Sequence, residues 1–146
     1  MVRGGVGVIS NNTMLEHRRI LVVDDEAAIR ELVAELMADE GYVVDQAADG
    51  AAALLKVGQA RPDVVVLDLM MPVMDGWTFA RELHAATPGA NIPIVVTSAS
   101  PDLSRAAEEL RPYGVRAGIA KPFDLDVLLA AIAHVARGAM AVQWPA

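Results

Sequence analysis

The chain has 146 residues, 54% hydrophobic and 21% charged, with a net charge of -7. That balance suits one folded domain with a core of its own and excludes a disordered chain. Twelve basic residues are scattered rather than gathered in a run, so an acidic surface would repel phosphate backbones and nucleic acid is not an expected direct partner. Cysteine is absent, which removes disulfides and thiolate metal sites and suits a reducing, cytoplasmic setting.

Residues 1–18 lack a continuous apolar region followed by a small-residue cleavage site, so they read as a flexible leader, with Met14 a candidate start. From residue 19 short apolar runs alternate with stretches of helical period. The expected strands cover 20–23, 42–47, 64–67, 94–97 and 115–120. Three of these are almost wholly apolar, as strands buried on both faces must be. The expected helices cover 27–38, 51–59, 77–86, 103–110 and 125–137, with Asp124 as N-cap of the last. In the first of them Ile29, Leu32, Val33, Leu36 and Met37 form one apolar stripe. Such a series predicts an α/β fold, a doubly wound parallel sheet with helices on both faces. No apolar stretch reaches the roughly 20 residues of a membrane-spanning helix, so no membrane insertion is expected. Residues 138–146 form a C-terminal tail too short for a further domain.

In a doubly wound sheet the functional groups collect at the carboxyl ends of the strands. Here the first strand runs into Asp24 and Asp25, the third into Asp68, the fourth into Thr97 and Ser98, and the fifth into Lys121. Three converging carboxylates repel one another unless a hard cation joins them, and oxygen donors of this kind suit Mg²⁺. With such an ion Asp68 can act as nucleophile toward phosphorus, while Lys121 and Ser98 hold the remaining phosphoryl oxygens. Taken singly, the acidic pair would be a helix cap, Asp68 a turn former, Lys121 a surface charge and Ser98 a loop hydroxyl. Their joint placement at four strand ends favours the phosphoryl site.

These segments resemble a known family. ILVVDDEAAIRELV is similar to the first strand and acidic pair of response-regulator receiver domains, and VVVLDLMMPVMDG to their phospho-acceptor strand and loop. PIVVTSAS resembles their fourth strand with its switch hydroxyl, and AKPF the Lys-Pro ending of the fifth. The resemblance extends from about residue 19 to 137. It implies a flavodoxin-like strand order 2-1-3-4-5, with Asp68 as phospho-acceptor. It further implies direct Mg²⁺ ligation by Asp25 and Asp68, a water-mediated or weaker role for Asp24, and a ligand from the Met70 backbone carbonyl. Ser98, five residues after Pro93, falls at the hydroxyl position in preference to Thr97, and the Lys121-Pro122 bond at one that is cis in the family. The implied partners are a histidine kinase or histidine phosphotransfer protein and a downstream protein target.

Three positions depart from the family or tune it. Receiver domains usually carry Tyr or Phe three residues before the lysine; this chain has Gly118, so signalling is expected to run through the loop after Ser98 and the fourth helix. Met70 and Ser100 stand where the family tunes hydrolysis, and neither is a good base, which predicts a persistent phosphoryl group. The expected role is a self-phosphorylating switch, not a turnover enzyme. An interaction module that never sees phosphate is one competing function. A Mg²⁺-dependent phosphatase is another, but Met70 leaves no second carboxylate two residues after Asp68 to protonate a leaving group. Met70, Met71 and Met74 are expected to pack, Trp77 likewise, and Gly76 to supply backbone freedom. His17, His84 and His134 show no ligand spacing and are expected at the surface. Trp144 has no assigned role.

Overall fold

The computed structural model describes residues 18–138. The leader and most of the tail, with Met14, His17 and Trp144, lie outside the described residues. Five parallel strands, β1 (Arg19–Val23), β2 (Val43–Ala47), β3 (Val64–Asp68), β4 (Ile94–Ser98) and β5 (Val115–Ala120), form one sheet of order β2-β1-β3-β4-β5. The helices are α1 (Ala27–Asp39), α2 (Gly50–Gln59), α3 (Gly76–Ala86), α4 (Leu103–Glu109) and α5 (Leu125–Ala136). A single 3₁₀ turn, Arg111–Tyr113, precedes β5. This is the expected α/β architecture.

Every residue of β3 and β4 is buried, which explains their unbroken apolar runs, whereas the edge strand β2 is mostly half-exposed and carries Asp45 and Gln46. Side chains alternate across each strand. Leu21, Val23, Val65, Leu67, Ile94 and Val96 pack under α2, α3 and α4 through Ala53, Val57, Phe79, Leu83 and Leu103. Ile20, Val22, Val64, Val66, Val95 and Ile119 face the opposite layer and meet α1 and α5 through Val33, Met37, Leu128 and Ile132. Three aspartates start helices by accepting a backbone N–H: Asp49 from Ala52, Asp75 from Thr78, and Asp124, as expected, from Asp126.

Three expectations, for His134, Gly76 and Met70, need correction. His134 is half-buried on α5 rather than at the surface, because its turn of the helix faces the sheet; His84 is exposed and stacks edge-on against Tyr113 at 5.5 Å. Gly76 is required by space, not by backbone freedom. A Cβ there would lie 2.7 Å from Leu69 Cα and 2.8 Å from the Asp68 carbonyl oxygen. Trp77 and Met74 are half-buried against the core and Met71 is buried, as expected, while Met70 is largely exposed.

The loop from β3 to α3 contains a strained turn. Val73 has φ +69°, and the N–H of Met74 donates to the Pro72 carbonyl at 2.8 Å, closing a three-residue γ-turn about it. A β-branched side chain is disfavoured there, and Val73 is 88% exposed, so no packing offsets the strain. Val73→Gly, which removes the Cβ from this positive-φ turn, is therefore expected to raise stability, read as a higher urea midpoint at unchanged m-value.

Candidate active site

Backbone ladder bonds continue one residue past the strands and fix the site. The N–H of Asp24 donates to Ala47 O at 3.1 Å, that of Leu69 to Thr97 O at 3.0 Å, and that of Lys121 to Ser98 O at 2.9 Å. The first bond ties the end of β1 to β2 and the other two join the ends of β3, β4 and β5, while the pairing of Val23 with Leu67 holds β1 beside β3 where the strand order reverses. The Lys121-Pro122 peptide is cis, as the resemblance implies.

Asp24, Asp25 and Asp68 each present a carboxylate oxygen within 4.8 Å of the others. Asp24 and Asp68 are buried and Asp25 is exposed. Asp24 Oδ1 accepts from the Glu26 N–H at 2.9 Å, and Asp68 Oδ1 from the Met70 N–H at 3.1 Å. Lys121 Nζ donates to Asp24 Oδ2 at 2.9 Å and to Glu26 Oε1 at 3.2 Å, and lies 3.4 Å from Asp68 Oδ2. Asp25, Glu26, Asp68, Met70, Ala99 and Lys121 line a hollow of about 180 Å³. The sequence thus anticipates the meeting of Asp24, Asp25, Asp68, Met70 and Lys121. Ser98 is buried at the end of β4, with its Oγ accepting from the Ser100 N–H at 3.0 Å. It does not belong to the lining of the hollow, and neither does the buried Asp24.

Electrostatics follow from this crowding. Burial pushes the Asp68 carboxyl up to about 6, and the Asp24 charge adds to the rise, while the Met70 N–H and Lys121 oppose it. Burial pulls the Lys121 ammonium down, but its hydrogen bond to Asp24, the charges of Asp68 and Asp24 and the bond to Glu26 outweigh burial, and its pKa is raised. Asp24, Glu26 and Asp68 share the Lys121 ammonium, and Asp25 adds a fourth carboxylate that the ammonium does not reach. That surplus of hard oxygen donors fits a divalent cation such as Mg²⁺.

Two contacts escape the sequence reading. Glu26 has no place in the acidic set read from strand ends because it follows the pair and opens α1. Arg30, one turn further on, donates from Nη1 to the Asp24 carbonyl at 2.9 Å and from Nε to Gln46 Oε1 at 3.1 Å. It clamps the β1 end to β2. The signal for Glu26 is its adjacency to the pair; for Arg30 it is the four-residue step from Glu26 on one helix face.

Comparison with known proteins matches residues 20–133 to the response regulator receiver domain. The chain belongs to that family. This receiver domain is 41% identical over 123 residues to the response regulator MprA of Mycobacterium sp. (strain KMS), covering 82% of the chain but 50% of that protein. It therefore spans about half the length of the curated relatives it matches. It is similar to the chemotaxis protein CheY4 of Vibrio cholerae, with 33% identity and a TM-score of 0.72 over 81% of this chain and 98% of that one. The receiver domain of NtrX from Brucella abortus gives 34% identity and a TM-score of 0.68 over 78% and 96%. Membership makes the chain a receiver of two-component signal transduction. Among the described residues no helix of this receiver domain is long and apolar enough to cross a membrane.

Proposed function

We propose that the chain accepts a phosphoryl group on Asp68 from a phosphohistidine of a histidine kinase or histidine phosphotransfer protein, and thereby switches its binding to a downstream protein. The observation that carries this reading is the approach of Lys121 Nζ to within 3.4 Å of Asp68 Oδ2 at the wall of an acidic hollow. Asp68 Oδ2 attacks the phosphorus; the new O–P bond forms as the P–N bond breaks, and the imidazole leaves with its electron pair and takes up a proton. Lys121 supplies positive charge to the phosphoryl oxygens, and the Ser98 hydroxyl, at the adjoining strand end, is assigned a further one. The Met70 N–H keeps Asp68 Oδ1 occupied, which leaves Oδ2 as the attacking atom. Asp25, Asp68 and the Met70 carbonyl would hold Mg²⁺ directly, with Asp24 acting through water or as a weaker ligand, and the ion would supply charge to neutralise the carboxylates and the transferring group.

The test is incubation with acetyl phosphate and Mg²⁺ followed by intact mass. One added phosphoryl group is expected, absent in Asp68→Asn and strongly slowed without Mg²⁺. Addition that survives in Asp68→Asn overturns the assignment. In the same samples the adduct is expected to persist, because Met70 and Ser100 offer no base to an attacking water.

A further inference from the structure

The loop from Leu69 to Gly76 carries Met70 and is closed at its base, where the Leu69 N–H donates to Thr97 O at 3.0 Å and the Gly76 N–H to Leu69 O at 3.0 Å. Leu69 and Met71 are buried, so the first half is anchored by its own side chains. The second half lacks such anchors until Met74, because Pro72 and Val73 are exposed and the turn about Val73 is strained. A residue in a sparsely populated conformation persists only where its surroundings impose it. Met74 supplies that constraint: its N–H closes the turn, and its half-buried side chain lies over Gly50, the buried first residue of α2. A Cβ built on Gly50 would lie 2.8 Å from Met74 Sδ, 2.9 Å from its Cγ and 3.0 Å from its Cβ. The space left by the missing side chain of Gly50 is therefore the seat of Met74.

We propose that Met74, seated on Gly50, is a positioning residue that fixes the β3–α3 loop and with it the Met70 carbonyl as a ligand to the divalent cation. The inference rests on the reading of that carbonyl as a Mg²⁺ ligand. Mg²⁺ demands nearly ideal octahedral geometry, so a neutral oxygen contributes only from a fixed place. A methyl group on residue 50 would disturb that place. Rotation within the Met74 side chain can carry Sδ and Cγ away from it, but no side-chain rotation moves Cβ, so the loop backbone has to give.

The experiment follows the backbone amide signals of Leu69 and Met70 by NMR as Mg²⁺ is added, without phosphodonor, to the folded protein and its variants. Gly50→Ala is expected to weaken Mg²⁺ binding about tenfold, the lower end of the loss when the support behind a metal ligand is removed. Met74→Ala, which empties the seat instead of filling it, is expected to weaken binding as well. Gly58→Ala makes the same substitution on the same helix where nothing lies within 4 Å of the new Cβ, and is expected to leave binding unchanged. In the double variant Gly50→Ala/Met74→Ala the two losses are expected not to add, because one contact underlies both. A purely structural contact would lower the urea midpoints of Gly50→Ala and Met74→Ala and leave the Mg²⁺ affinity of the folded protein alone, which would overturn the proposal. An equal weakening in Gly58→Ala would also overturn it. If the unaltered protein binds no Mg²⁺, the metal reading fails and the proposal falls with it; if it binds Mg²⁺ and both seat variants bind it equally well, the proposal alone fails.

Discussion

Replacing Asp68 by Asn is expected to stabilise the metal-free protein by about 2 kcal/mol at pH 7.5, although it removes the residue on which the chemistry depends. The Asp68 pKa is raised from 3.8 to about 6 by burial and by the Asp24 charge. Below about pH 4 the carboxyl is protonated in both the folded and unfolded chain, and it costs nothing. Between about 4 and 6 the unfolded chain has released its proton while the folded protein still holds it, so stability falls as pH rises. Above 6 the penalty is complete, and a shift of this size corresponds to about 3 kcal/mol. The amide keeps an acceptor for the Met70 N–H but gives Lys121 a donor instead of an acceptor, which returns part of the gain. Urea unfolding of both proteins at pH 4 and pH 7.5, with chelator present, measures the difference. A gain of equal size at the two pH values would show that the buried charge is not its source. Added Mg²⁺ is expected to narrow the gap at pH 7.5, because a cation bound only by the folded unaltered protein stabilises it by mass action.

Gly76→Ala is expected to cost about 2 to 3 kcal/mol and to slow phosphoryl addition, a large effect for one methyl group. The new Cβ would meet Leu69 Cα at 2.7 Å and the Asp68 carbonyl oxygen at 2.8 Å, both backbone atoms at the end of β3. Backbone cannot rotate away as a side chain can, so α3 and the acceptor strand must separate. The displacement falls directly on Asp68. Gly58 on α2 provides the contrast, since nothing lies within 4 Å of a Cβ built there. Gly58→Ala is expected to gain up to about 1 kcal/mol from helix propensity and to leave phosphoryl addition unchanged. Paired urea curves and acetyl phosphate rates separate the two sites; a Gly76→Ala protein as stable and as reactive as the original would contradict the close approach.

The positions of β3 and β4 were legible from sequence because strands buried on both faces leave no room for polar residues, and the end of each was marked by its first polar side chain. Asp68 can be placed at the site for the same reason; Lys121 follows the weaker, half-exposed β5 and is placed by the AKPF segment. What stayed hidden depended on side-chain reach across separate elements. Glu26 looks like an ordinary residue at the start of an amphipathic helix, and only the approach of β5 brings Lys121 to it. Arg30 reads as a solvated helix position, yet its guanidinium spans from β1 to Gln46 on β2. The reason for Gly76 was likewise invisible, since a one-dimensional pattern carries no distance between a loop and the strand it folds over.

Gly118 carries a consequence for how this chain can change over generations. A Cβ at that position would sit 3.3 Å from Leu103 Cδ1 and 3.4 Å from Ala107 Cβ, because α4 rests directly on the bare strand. A larger side chain introduced there presses on Leu103 and Ala107, and a smaller residue at Leu103 is expected to make room for it. Because the two positions touch, the cost of a larger residue at Gly118 is expected to fall when Leu103 is made smaller, so the two substitutions are non-additive.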